Sequence, residues 1–291
     1  MNESLSILAM QVLNGLAYGM LLFLLAAGLS LIFGNMDILN LAHGSFYMLG
    51  AYIALSVAQY LDNFWLALIL APLLVGLISL VLELGLLRIS YNRGHLTQVL
   101  LTFGLAYVFN DLVRWIWGAA IHTLTPPASI SGSLEIMGQT FPRYRVFVVL
   151  LGFVIAFLLW FFQEKTRWGA IIRAGVSDKE MVGGLGINIH LVFTLIFALG
   201  GVLAGLSGVA AGPILGLYPG MDFETLIFAL IVVVVGGLGS FTATFGGAII
   251  IGLADTLGKV WFPEASLFLI FAIMAVVLLV KPQGLFGGRA A

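Results

Sequence analysis

The chain has 291 residues, of which 62% are hydrophobic and 9% charged, and its mean hydropathy is +1.15. A soluble domain carries about 25% charged residues, so the composition is that of an integral membrane protein. The net charge of −1 argues against a nucleic-acid partner, and the absence of cysteine excludes disulfides, thiolate metal sites and cysteine nucleophiles.

The opening Met1-Asn2-Glu3-Ser4 has no basic stretch, and the apolar run behind it continues to Phe33. It reads as a span rather than a cleaved signal. Further spans are expected at 37–60, 64–87, 96–117, 144–162, 191–212, 223–240 with 241–258, and 266–281, several near the ~20 residues that cross a bilayer. The expected fold is all-α: a single polytopic membrane domain over 1–291, with about eight transmembrane helices and broken or re-entrant segments. Gly236-Gly237-Leu238-Gly239-Ser240 would interrupt a long helix, which leaves the count at eight or nine.

Between the first two spans, Asn35, Asp37, Asn40 and His43 interrupt the apolar sequence, followed by Gly44 and Ser45. Polar groups at membrane depth are costly and usually line a cavity or satisfy broken backbone. If this stretch is helical, Asp37 and Asn40 share a face, as do Asn40 and His43. These six residues are the candidate substrate pathway. The structural alternative makes Asp37 a helix N-cap and His43 a packing residue.

Basic residues orient the chain. Arg88, Arg93, Lys165, Arg167, Arg173, Lys179, Lys281 and Arg289 fall on one side of an alternating topology. Arg114, Arg143, Arg145 and Lys259 fall on the other. The larger set marks the cytoplasmic side. Segment 118–143, with its Pro126-Pro127 turn, is then an external loop.

The cytoplasmic segment 163–190 is the one sizeable polar island. Within it Ser177-Asp178-Lys179-Glu180 reads as a capping box, with Ser177 as N-cap and Glu180 reaching back. Gly183, Gly184 and Gly186 would stop the short helix so begun. Arg173, Ser177, Asp178, Glu180 and Gly186 are the candidate coupling residues; the alternative is a plain solvated loop.

Further on, Gly201-x-x-x-Gly205 and Gly208-x-x-x-Gly212 are small-residue faces that let membrane helices approach closely. Gly205-Leu206-Ser207-Gly208 also matches the nucleophile motif of rhomboid-like intramembrane serine proteases. A serine nucleophile needs a base within reach, and no histidine follows His190. No G-x-x-x-x-G-K-[ST] phosphate loop occurs, so a chain driven by ATP would depend on a separate ATPase.

Four segments carry a family resemblance. GLSLIFGNMDILNLAHGSFYMLGAY (28–52), TRWGAIIRAGVSDKEMVGGLGINI (166–189), VVVGGLGSFTATFGGAIIIG (233–252) and KPQGLFG (281–287) resemble, in order, motifs of the permeases of branched-chain amino acid ABC importers. Such a permease implies a second related permease or a second copy, and two ATP-binding subunits. It also implies a periplasmic or lipid-anchored binding protein and residence in the bacterial inner membrane. The implied chain binds no cofactor itself and has no catalytic residues; ATP is used by its partners. Its cargo would be leucine, isoleucine or valine, or in close relatives other amino acids, urea, short amides or small acids. One departure stands in the cytoplasmic loop. Met181-Val182-Gly183 follow Glu180 where the family usually places small or alanyl residues.

Overall fold

The computed structural model describes residues 2–91, 93–136 and 138–287; Arg289, one of the orienting charges, lies outside them. Among these residues, eleven helices and one small hairpin build a membrane bundle. The helices are α1 (Asn2–Met36), α2 (His43–Leu61), α3 (Phe64–Leu82), α4 (His95–Trp117), α5 (Arg143–Lys165), α6 (Arg167–Ser177), α7 (Lys179–Gly184), α8 (Ile189–Leu215), α9 (Met221–Gly236), α10 (Phe241–Trp261) and α11 (Ser266–Val280). Beyond Leu82, α3 runs on through a π-helical turn, Glu83–Leu87, to Arg88–Ser90. The 118–143 loop holds the hairpin, β1 (Ser133–Ile136) antiparallel to β2 (Gln139–Pro142), which composition alone did not suggest.

Among the described residues, seven helical segments, fewer than the eight or nine expected, are long and apolar enough to cross a membrane: 5–36, 64–90, 95–117, 143–165, 189–215, 241–261 and 263–280. The other two sizeable helices, α2 and α9, fill the interior between them. α1 is the axis. Its apolar window is 83% buried, against 17% for α5 and 11% for α11, which form the rim. Around α1 pack α5, α8, α9 and α10, while α2 is held between α3, α8 and α9. The glycine stripe of α8 is a packing device. A Cβ on Gly201 or Gly205 would strike α3 at Ser79 or Val75, one on Gly208 would strike the Tyr47 carbonyl of α2, and one on Gly212 would press on Leu124. Only a residue without a side chain brings α8 so close to the α2 backbone.

The expected break is real. α9 ends at Gly236, Gly237 takes φ +122°, and Ser240 caps α10 by accepting the Ala243 amide. The segment after α11 folds back onto this gap. The Leu285 amide donates to the Val235 carbonyl at 2.8 Å and the Phe286 amide to the Gly236 carbonyl at 3.0 Å. Carbonyls left open at a helix end inside an apolar bundle must find such donors.

Candidate functional site

The stretch after α1 does not form the helical face that the sequence suggested. α1 terminates at Asp37, which adopts φ +56°, and residues 37–42 are non-helical, so Asp37, Asn40 and His43 share no helical face. Asp37 lies at the C-terminal end of α1, not at an N-cap. Its carboxylate is 72% exposed and sits 3.6 Å from His95 Nε2. Asn35 is spent on its own helix, donating to the Leu31 carbonyl.

The remaining four candidates are buried. Asn40 Oδ1 accepts the Ala42 amide at 3.1 Å and so shapes the turn into α2. His43 Nε2 lies 3.0 Å from the Leu25 carbonyl. A carbonyl can only accept, so Nε2 carries the proton and Nδ1 remains an acceptor. Gly44 lets the start of α2 touch the Asp222 carbonyl. Ser45 Oγ donates to Asp222 Oδ2 at 3.0 Å, and Asn110 Nδ2 of α4 donates to Asp222 Oδ1 at 3.2 Å.

This junction lies deep in the bundle. At 1.5 Å per residue α1 is about 52 Å long, α2 about 28 Å and α9 about 24 Å. α2 and α9 both begin well inside: His43 reaches Leu25, eleven residues before α1 ends. Asp222 is therefore a carboxylate in the first turn of an internally starting helix, 1% exposed, with hydroxyl and amide partners. The positive end of α9 favours an anion there. From Asp222 a line of polar groups continues along the inner face of α4. Asn110, Thr102 and Gln98 are all buried and spaced by multiples of four. Thr102 Oγ1 accepts the Leu41 amide at 3.1 Å, tying α4 to the α1–α2 turn.

The central island forms a surface handle of two short helices. Thr166 caps α6 by accepting the Gly169 amide, and Gly169 lets α6 fold against the end of α5 at Gln163. Arg173 donates to the Gln163 carbonyl and lies 4.0 Å from the Glu164 carboxylate. The expected capping box is displaced by one residue. Asp178, not Ser177, is the N-cap of α7, its Oδ1 accepting the Met181 amide at 2.9 Å. Ser177 ends α6 instead, with its hydroxyl donating to the Arg173 carbonyl at 3.2 Å. The glycine stop is present: Gly186 takes φ +82° after α7. Val182 of α7 is buried, whereas Met181 and Leu185, the residue that ends the helix, are 69% and 75% exposed. They stand four apart on one face.

The handle leads into α8, whose Thr194 is bonded to the end of α3. Glu83, in the π turn, is fully buried and accepts from Thr194 Oγ1 and Tyr91 Oη, both at 2.8 Å, with Arg88 at 3.3 Å. Ser207, by contrast, is a packing residue: its hydroxyl donates to the Leu21 carbonyl at 2.8 Å.

Sequence reasoning did not pick out Asp222, Asn110, Gln98 or Thr102 as site residues. The i, i+4 polar spacing on α4 was a usable signal, as was the acidic Asp222 in the first turn of a largely apolar helix.

The branched-chain amino acid transport system permease component family matches residues 11–278. The chain is 28% identical over 291 residues to the high-affinity branched-chain amino acid transport system permease protein BraD of Pseudomonas aeruginosa, covering 95% of each chain. It is 28% identical over 303 residues to the corresponding permease protein LivH of Salmonella typhimurium, covering 99% of this chain and 98% of that one. Among solved structures, PsaBC from Streptococcus pneumoniae in complex with Fab shares the fold, with a TM-score of 0.50 and 14% identity over 92% of this chain and 89% of the other. With its seven apolar spanning helices and a match along nearly its whole length, the chain is a multi-pass membrane protein belonging to the branched-chain amino acid transport system permease component family.

Proposed function

We propose that the chain is one permease of an ABC importer for branched-chain amino acids in a bacterial inner membrane. It works beside a second permease or a second copy of itself. Two separate ATP-binding subunits supply the energy and an external binding protein delivers the cargo; the chain itself binds no cofactor and holds no ATPase site.

The observation that carries this reading is the α6–α7 handle. It is the charged segment of an otherwise apolar chain, yet α7 and its C-cap turn Met181 and Leu185 outward beside Asp178 and Glu180. A short helix with an apolar face, a charged rim and a firm anchor at Val182 is suited to sit in a groove of a partner protein. Movement of the ATPase pair then pushes on α7. The push passes through α8 to the Glu83–Thr194 bond at the end of α3. Cargo enters from the external side in one arrangement of the permease pair and leaves to the cytoplasm in the other. Only a ligand or nucleotide that prefers one arrangement can drive the change.

The test is leucine uptake by the complete importer in proteoliposomes, with ATP turnover followed alongside. Met181→Asp should insert normally and lose its ATPase subunits. A buried interface anchor is worth about 2 kcal/mol, roughly thirtyfold in affinity. Glu180→Arg should lose stimulation of turnover by loaded binding protein. Full retention of both the subunits and the stimulation in these variants would refute the docking role.

A further inference from the structure

Asp222 is an acidic residue held deep among spans, with no cationic side chain as hydrogen-bond partner among the described residues. Its two carboxylate oxygens are bonded by the neutral donors Ser45 Oγ and Asn110 Nδ2. An ionisable group at membrane depth ordinarily meets a counter-charge. Two further observations bear on what that counter-charge is. The polar line that leads to Asp222 and the α1–α2 turn bonded to it contain unspent capacity: Gln98 Oε1 and Asn40 Nδ2 are buried without partners. And the line is roofed by aromatic rings on the outer side of α4 and α9. Phe103 and Tyr107 are 40% and 54% exposed, and Phe223, the neighbour of Asp222, packs on both with centroids 6.0 and 5.4 Å away.

We propose that Asp222 is the carboxylate that receives the α-ammonium group of the cargo, and that the seam between α4 and the α2–α9 pair is the polar wall along which the amino acid passes. Ser45 and Asn110 hold the carboxylate while the seam is closed. When α4 moves away, they yield and the ammonium takes their place. The aromatic roof receives the branched side chain, and an ammonium near those faces gains further attraction. α4 suits a moving part. Its apolar window is only 28% buried, and hydrogen bonds from Thr102 and Asn110 tie its inner face to its neighbours. This reading rests on the amino-acid importer assignment and adds the recognition group to it.

The assay measures equilibrium binding to the complete importer without its binding protein. The probes are leucine, 3-methylbutylamine (ammonium without carboxylate) and 4-methylpentanoate (carboxylate without ammonium). Asp222→Asn should weaken leucine and the amine about tenfold or more, the scale of a lost charge-assisted bond, and leave the acid unchanged. Asn110→Ala, which frees the carboxylate from a competing donor, should tighten the amine severalfold. Equal loss for all three probes in Asp222→Asn would mark a structural role and overturn the proposal, as would unchanged leucine binding. If Asp222→Asn does not assemble, a failure of Asn110→Ala to tighten the amine overturns it. A wild-type importer that takes up leucine but shows no binding of leucine or the amine also overturns it. A wild-type importer that takes up no leucine refutes the function proposed above instead.

Discussion

The displaced cap at the handle makes a sharp comparison between two adjacent residues. Asp178 Oδ1 accepts the Met181 amide at 2.9 Å, whereas the Ser177 hydroxyl donates to a carbonyl within the last turn of α6. Replacing an N-cap acceptor with alanine costs about 1 kcal/mol. α7 has only six residues, too few to be stable without its cap and its anchor at Val182. A loss of about 1 kcal/mol multiplies the open population of such a local unit roughly fivefold. In hydrogen exchange on the detergent-solubilised chain, Asp178→Ala should therefore speed exchange at Met181 and Val182 about fivefold. Ser177→Ala should leave those amides within a factor of about two, because exposed substitutions away from caps are near-neutral. Neither variant should alter exchange in α1 or α8. Faster exchange in Ser177→Ala than in Asp178→Ala would restore the capping box read from sequence and refute the observed register.

Two other expectations concern the bundle. Cysteines placed at Ser129 and Ser177, both exposed, should label from opposite faces of the membrane; labelling of both from outside would reverse the orientation and remove the handle from the ATPase side. His43→Ala removes the donor to the Leu25 carbonyl and opens a hole in the core, so it should lower thermal stability by about 3 kcal/mol. Uptake per folded molecule should remain. Lost uptake at unchanged melting temperature would instead make His43 a pathway residue.

Much of the architecture was legible because a bilayer imposes length and hydropathy on each span. Seven of the expected spans, the interruption at Gly236–Ser240 and the stop at Gly186 follow from local chemistry, whereas the segments expected to span at 37–60 and 223–240 became the interior helices α2 and α9. What was not legible depended on pairing across the chain. Ser177 and Asp178 are both good caps, and only the end of α6 decides between them. Asn40 and His43 stood out as polar, but whether they face a passage or the Leu25 carbonyl is settled by how α2 packs on α1. Ser45 and Asp222 are 177 positions apart, and their meeting arises from two helices that start inside the bundle. The hairpin of the 118–143 loop was hidden by a composition that suits any exposed turn.

The return of the tail onto the α9–α10 gap bears on how the chain is made. The Val235 and Gly236 carbonyls wait for amides some fifty residues downstream, at Leu285 and Phe286. During synthesis the gap is threaded into the membrane long before those amides leave the ribosome. Until then a pair of open carbonyls sits beside apolar neighbours, a state that favours water entry or retention near the translocation machinery. Residues 285 and 286 thus act as a latch. Closure of the gap waits on Leu285 and Phe286, and a chain without them would still hold every span up to α11 yet leave the Val235 and Gly236 carbonyls without these donors.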